Sequence, residues 1–154
     1  MPDPYRWLEE LDSEPVNAWV EKQAAFATAY LEKLPGRERL EKRLTELWDY
    51  EKHGLPYQMG GRLFYTRNTG LQNQSVLYWR EDKSGAIEHM LLDPNKLSED
   101  GTTALSGYSI SEDGKYMAYG VSRSGSDWQE WKVREIATGQ DTSDHLKNIK
   151  FSGA

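Results

Sequence analysis

The 154-residue sequence contains no cysteine, which removes disulfides, thiolate catalysis and cysteine-based metal sites together. Histidine is scarce as well: His53, His89 and His145 are all that the chain offers for acid–base or imidazole-ligand chemistry. No run approaches the ~18 apolar residues of a membrane-spanning helix, and Met1-Pro2-Asp3-Pro4 has neither the cationic start nor the apolar stretch of a secretory signal. The expectation is a soluble, cytoplasmic protein with no membrane partner. Positive charge is in deficit, with 19 Lys and Arg against 25 Asp and Glu and a formal charge of −6. Nucleic acid is therefore not expected as a partner, because no cationic excess is available to neutralise phosphates.

What the sequence has in abundance is aromatic surface, 6 Trp and 9 Tyr. Side chains of that size bury large areas when they find partners, so the chain is expected to fold or to dock. Hydrophobic residues at 37% and charged residues at 29% are well clear of a disordered composition, and the length suits one ordinary domain of ~100–150 residues.

Periodicity divides the chain. From Ser13 to Leu34 the apolar positions Val16, Trp19, Val20, Phe26, Ala27, Tyr30, Leu31 and Leu34 repeat with a helical period. Ser13 is the candidate N-cap, Glu14 sits where the helix dipole favours a carboxylate, and Pro15 occupies a first-turn position where a missing N–H costs nothing. Pro35-Gly36 ends this helix. A second runs from about Glu38 to Tyr50, with Leu40, Leu44, Leu47 and Trp48 on one face. His53-Gly54-Leu55-Pro56 then breaks the register, and from Tyr57 onward short strands alternate with turns. The natural division is residues 1–56, helical, and residues 57–154, stranded.

The strands carry an internal echo. Gly61-Arg62-Leu63-Phe64-Tyr65-Thr66 returns in character as Gly114-Lys115-Tyr116-Met117-Ala118-Tyr119, and Val76-Leu77-Tyr78-Trp79-Arg80 finds a counterpart in Trp131-Lys132-Val133-Arg134-Glu135. Short antiparallel strands with a period of ~40–50 residues are the signature of propeller blades. Each unit is expected to be a four-stranded meander, with turns at Asn68-Thr69-Gly70, Asp82-Lys83-Ser84-Gly85, Glu112-Asp113-Gly114 and Ala137-Thr138-Gly139-Gln140. The fold class is thus α+β: a helical arm followed by antiparallel β-meanders.

Three stretches carry a resemblance to a known family. Asp3-Pro4-Tyr5-Arg6-Trp7-Leu8-Glu9-Glu10 resembles the opening of prolyl oligopeptidase-family serine peptidases. Asn68-Thr69-Gly70-Leu71-Gln72-Asn73-Gln74-Ser75-Val76-Leu77-Tyr78, and Gly107-Tyr108-Ser109-Ile110-Ser111-Glu112-Asp113-Gly114 running on to Ser124-Gly125-Ser126-Asp127-Trp128, resemble its proline-directed branch. The resemblance implies an N-terminal extension, residues 1–56, that packs on an α/β-hydrolase domain. It further implies that residues 57–154 form the first blade and part of the second of a seven-bladed β-propeller, left incomplete here. For the intact protein it implies a Ser-Asp-His triad and hydrolysis of short proline-containing peptides after proline. The partners of the chain would be the missing hydrolase and propeller portions, in cis or in trans. The end at Lys150-Phe151-Ser152-Gly153-Ala154 falls within what resembles a strand of the second blade, and truncation is expected.

The residues themselves supply little chemistry. A hydrolase nucleophile needs a Gly-x-Ser-x-Gly elbow, whose small flanking residues permit the strained turn that exposes the hydroxyl. The nearest approach is Gly107-Tyr108-Ser109-Ile110-Ser111, with serine in place of the second glycine; Ser109 reads as a structural strand residue. Asp144-His145 pairs an acid with a base, but neighbours in sequence rarely face each other in a triad. His53 and His89 are isolated, Glu9-Glu10 and Glu99-Asp100 read as solvated charge, and no metal-ligand spacing is present. Gly60-Gly61 and Gly70 form no phosphate-binding pattern. No catalytic, metal or cofactor-binding residue is assigned, and no cofactor is expected; the chain alone is expected to be inactive. Ser124-Gly125-Ser126-Asp127-Trp128 reads as a hairpin connection anchored by Trp128, with a loop at a propeller mouth or interdomain gap as the alternative. Tyr5-Arg6-Trp7 reads as a docking element. Beside the peptidase reading stand a non-enzymatic β-meander binding module and one half of a split peptidase.

Overall fold

The computed structural model describes residues 3–153. It separates into a helical unit ending at Leu47 and a stranded unit from Trp48 onward. In the helical unit a 3-10 turn, Arg6–Glu9, precedes α1, Glu14–Leu31, and α2, Arg37–Trp48, the latter running one residue past the division. Ser13 holds the extended backbone of an N-cap (φ −76°, ψ 142°), but its hydroxyl makes no capping bond. The start of α1 therefore rests on Pro15 in the first turn and on Glu14 near the positive end of the dipole. The helix ends three residues earlier than its apolar period predicts. Lys33 and Leu34 donate to Tyr30 and Leu31, tightening the last turn to i−3 bonds, and Gly36 at φ 85° turns the chain into α2.

The stranded unit holds two antiparallel sheets. The first contains β1 (Lys52–His53), β2 (Tyr57–Met59), β3 (Arg62–Asn68), β4 (Val76–Glu81) and β5 (His89–Leu92), and the second contains β6 (Thr103–Ile110), β7 (Tyr116–Arg123), β8 (Trp128–Glu135) and β9 (Gln140–Lys150). The first sheet has five strands where a four-stranded meander was expected. The reason is an interruption: β1 and β2 pair with the same strand, Lys52 opposite Asn68 and Tyr57 opposite Phe64, and residues 54–56 break the edge between them. Gly54 still donates to the Thr66 carbonyl at 2.9 Å. Residues 48–56, read from the sequence as the tail of the helical segment, thus include a strand of the first sheet.

The echo in the sequence is an echo in space. Phe64 in β3 and Met117 in β7, 53 residues apart by subtraction, are both fully buried, and they stand opposite Trp79 and Arg134. Alternation then gives each sheet one face toward a shared core: Phe64, Leu77 and Trp79 from the first, Met117, Tyr119 and Val121 from the second, closed by Ile110, Ile136, Leu91 and Leu92. Tyr57 stacks on Phe64 at 5.6 Å and reaches Tyr108 at 6.3 Å. Burial of about 1.5–3 kcal/mol for each large apolar side chain makes this seam the main source of cohesion. Two arginines stitch it from opposite sides, Arg62 donating to the Gly114 carbonyl and Arg134 to the Leu91 carbonyl at 2.9 Å.

Candidate functional site

Ser109 lies inside β6, opposite Ala118, and its backbone is not among the left-handed non-glycine positions of the described residues, which are Ser124, Asn148 and Phe151. It is an ordinary strand residue, not the apex of a strained turn. Asp144 and His145 do not face each other. The Asp144 carboxylate accepts from the Thr142 hydroxyl at 2.8 Å, while His145 Nε2 lies 2.8 Å from Glu130 Oε2 across the β8–β9 pair. That contact holds the Glu130 carboxyl below its ordinary range. His53 meets Glu51 two residues away, and His89 stacks on Trp79 at 4.6 Å. Asp100 caps the Thr102 amide and hydroxyl, which lowers its carboxyl pKa. Glu9 pairs with Arg6 at 3.9 Å on the exposed side of its turn. Among the described residues no group of three or more His, Asp or Glu side chains could hold a metal ion.

The loop Ser124–Trp128 does join β7 to β8, with Ser126 donating to the Arg123 carbonyl at 2.9 Å. Its anchor, however, is not Trp128. That indole is 56% exposed and lies under the Lys150 ammonium at 5.3 Å, while Asp127 pairs with the same lysine at 3.4 Å. Charge and backbone bonds hold this hairpin, and its tryptophan is presented to solvent. In the opening segment Trp7 meets Trp19 edge-on at 6.2 Å, and Tyr5 is exposed.

Polar groups do converge at the seam, in positions that the sequence did not single out. Tyr119 donates to Asp141 Oδ2 at 2.8 Å, and Arg134 Nε donates to Asp141 Oδ1 at 2.7 Å. Burial, then the bond to Asp141, pushes the Tyr119 phenol up to about 12. Burial opposes the Asp141 charge, yet bonds from Arg134 and Tyr119 outweigh it and hold that carboxyl below its usual value. Every one of these groups is committed to a partner. The arrangement can lock two sheets together; it has no free base beside a nucleophile.

What the chain presents outward is apolar. In the helical unit Phe26, Tyr30, Leu31, Leu34, Leu40 and Leu44 are exposed, and several of them line a groove of about 480 Å³. On the second sheet, the face away from the seam carries a groove of about 360 Å³ beside Ala118, Trp131, Val133, Leu146 and Ile149. Gly120 makes room for the Trp131 indole, since a Cβ there would stand 2.6 Å from the ring. Contiguous apolar faces of this kind mark interaction surfaces.

Two stacked meanders with outward apolar faces invite comparison with known propellers, and residues 1–154 match the family model of the prolyl oligopeptidase N-terminal β-propeller domain. The chain belongs to the prolyl oligopeptidase family. It is 42% identical over 151 residues to a prolyl endopeptidase of Elizabethkingia meningoseptica, covering 98% of this chain and 21% of that protein. It is 38% identical over 172 residues to prolyl oligopeptidase A of Amanita bisporigera, covering 99% and 22%. Among solved structures, one from a study of two prolyl endopeptidases and the role of inter-domain dynamics in catalysis and specificity superposes with a TM-score of 0.85 at 35% identity, over 96% of this chain and 22% of that one. Prolyl oligopeptidase B from Galerina marginata, bound to a 35mer hydrolysis and macrocyclization substrate, superposes with a TM-score of 0.79 at 31% identity, over 99% and 24%. This prolyl oligopeptidase-family chain therefore spans about a fifth of the length of the curated relatives it matches, and its two sheets are a partial propeller.

Proposed function

We propose that the chain is the non-catalytic front of a serine-type prolyl endopeptidase. In this reading residues 1–56 are the extension that packs on an α/β-hydrolase domain, and residues 57–154 begin the propeller that screens access to it. The whole protein would hydrolyse short proline-containing peptides on the carboxyl side of proline. The observation that carries the reading is the match to prolyl endopeptidases along 98% of the chain, in which both the helices and the paired meanders take part. The outward apolar faces and the committed state of the Tyr119, Asp141 and Arg134 cluster support a role in shaping and docking.

The test is complementation. The purified chain should not turn over a fluorogenic proline peptide, and adding the hydrolase and remaining propeller portions of the family in trans should restore turnover. Trp7→Ala should weaken that restoration if the opening aromatic segment clamps the two parts together. Turnover by the chain alone that disappears on Ser109→Ala would overturn the reading, as would a failure of the added portions to bind it.

A further inference from the structure

β6 is an edge strand of the second sheet, and the backbone groups on its open side need partners. At Thr103 and Leu105 those partners come from a side chain. Gln74 Nε2 donates to the Thr103 carbonyl at 2.8 Å, and the Leu105 amide donates to Gln74 Oε1 at 3.1 Å. A residue of a neighbouring parallel strand bonds in the same pattern, donating to the carbonyl of one residue and accepting from the amide two places on. A carboxamide reproduces a peptide group's donor and acceptor, so one glutamine stands in for one rung of a ladder.

The same device repeats one step back. Asn95 Oδ1 accepts from the Gln74 amide and Asn95 Nδ2 donates to the Gln74 carbonyl, both at 2.9 Å. Asn95 is itself fixed, because Asp93 Oδ1 accepts from its side-chain Nδ2 at 2.9 Å and from its backbone amide at 3.1 Å. Asp93, Asn95 and Gln74 thus form a relay that starts in the link leaving β5 and ends on the backbone of β6.

We propose that Gln74, held by Asn95, is a surrogate strand segment: a positioning residue that takes the rung at Thr103 and Leu105 on the open edge of β6 and fixes the link between the two sheets. Its role depends on the acceptor and donor of its carboxamide, not on the volume of its side chain. The proposal stands independently of the peptidase reading, since it concerns bonds within this chain.

Amide hydrogen exchange tests it site by site. In the unaltered chain, a scalar coupling across the hydrogen bond should link the Leu105 amide nitrogen to the Gln74 side-chain carbonyl carbon. In Gln74→Met, which keeps the length of the side chain, the Leu105 amide should exchange about tenfold faster or more, while Ala118 and Tyr119 in β7 stay protected. Gln74→Glu removes the donor and sets a carboxylate oxygen against the Thr103 carbonyl, so Leu105 should lose protection in that variant as well. Absence of the coupling, or Leu105 protection unchanged in Gln74→Met, would overturn the proposal. If Gln74→Met unfolds β7 as well, the coupling in the unaltered chain decides by itself.

Discussion

Tyr119 is the residue on which most of the polar order of the seam depends. It is almost fully buried, it bonds Asp141, and Asp141 in turn holds Arg134, which reaches back to the first sheet. Because the folded state raises its phenol to about 12 from an unfolded value near ~10, its contribution is complete below pH ~10 and fades as the pH rises through the folded value. Asp141 has the opposite sign: its carboxyl is lowered, so its contribution is present above the ordinary carboxylate range and fades as acid protonates it. Tyr119→Phe should cost roughly 1–3 kcal/mol near neutrality, and urea melts should show that gap closing between pH ~10 and ~12. A gap that stays constant through that range would show the phenol bond to be silent. None of this was legible in the sequence. Tyr119 and Asp141 are 22 residues apart and Arg134 stands between them, so only the register of three strands, irregular along β8–β9, brings them together. His53 and His89, by contrast, were legible as isolated groups, and the structure leaves them beside Glu51 and Trp79; His145 pairs across the strands with Glu130, not with its sequence neighbour Asp144.

At the level of elements, turns set the geometry of the stack. The β2–β3 and β6–β7 hairpins touch at their tips: Gly60 has φ 54°, and a Cβ on it would lie 2.4 Å from the Gly114 backbone nitrogen. Gly125, in the β7–β8 turn, also has positive φ (71°) but has nothing within 4 Å. Gly60→Ala should therefore cost more than the ~1 kcal/mol of left-handed strain expected for Gly125→Ala, because backbone must move as well. Thermal unfolding of the pair measures the difference; equal losses would mean that the tips separate freely. Gly114 and Gly125 could be read from the sequence as turn glycines, since glycine beside Asp or Ser between alternating runs predicts a hairpin. Which of them faces another hairpin could not, because that depends on how the sheets stack. The same limit shortened the first helix: apolar spacing continues to Leu34, but the backbone closes into a tight turn after Leu31. Trp128 misled for a related reason, a large aromatic being read as an anchor where the strand direction sends it to solvent.

For the molecule as a whole, cohesion is concentrated in one seam, and much apolar surface lies outside it, including Phe26, Tyr30, Leu40, Leu44 and Leu146. Native domains keep only ~5–15 kcal/mol of net stability. The chain studied by itself should accordingly sediment as associated species, or unfold in a broad transition monitored by tryptophan fluorescence. A monodisperse monomer with one steep transition above ~5 kcal/mol would show that the exposed faces need no cover. The architecture was legible at this scale because the repeat couples pattern to fold, Phe64 and Met117 being buried at matched positions. The outer strand of the second sheet adds a further consequence. β9 pairs with β8 through two register shifts, and Asn148 within it has φ 58°. A strand so bent offers a poor template for another strand to lie beside. With one rung of β6 taken by Gln74 at its other margin, both borders of the second sheet are awkward for a further strand, which favours growth by piling sheet upon sheet over widening one.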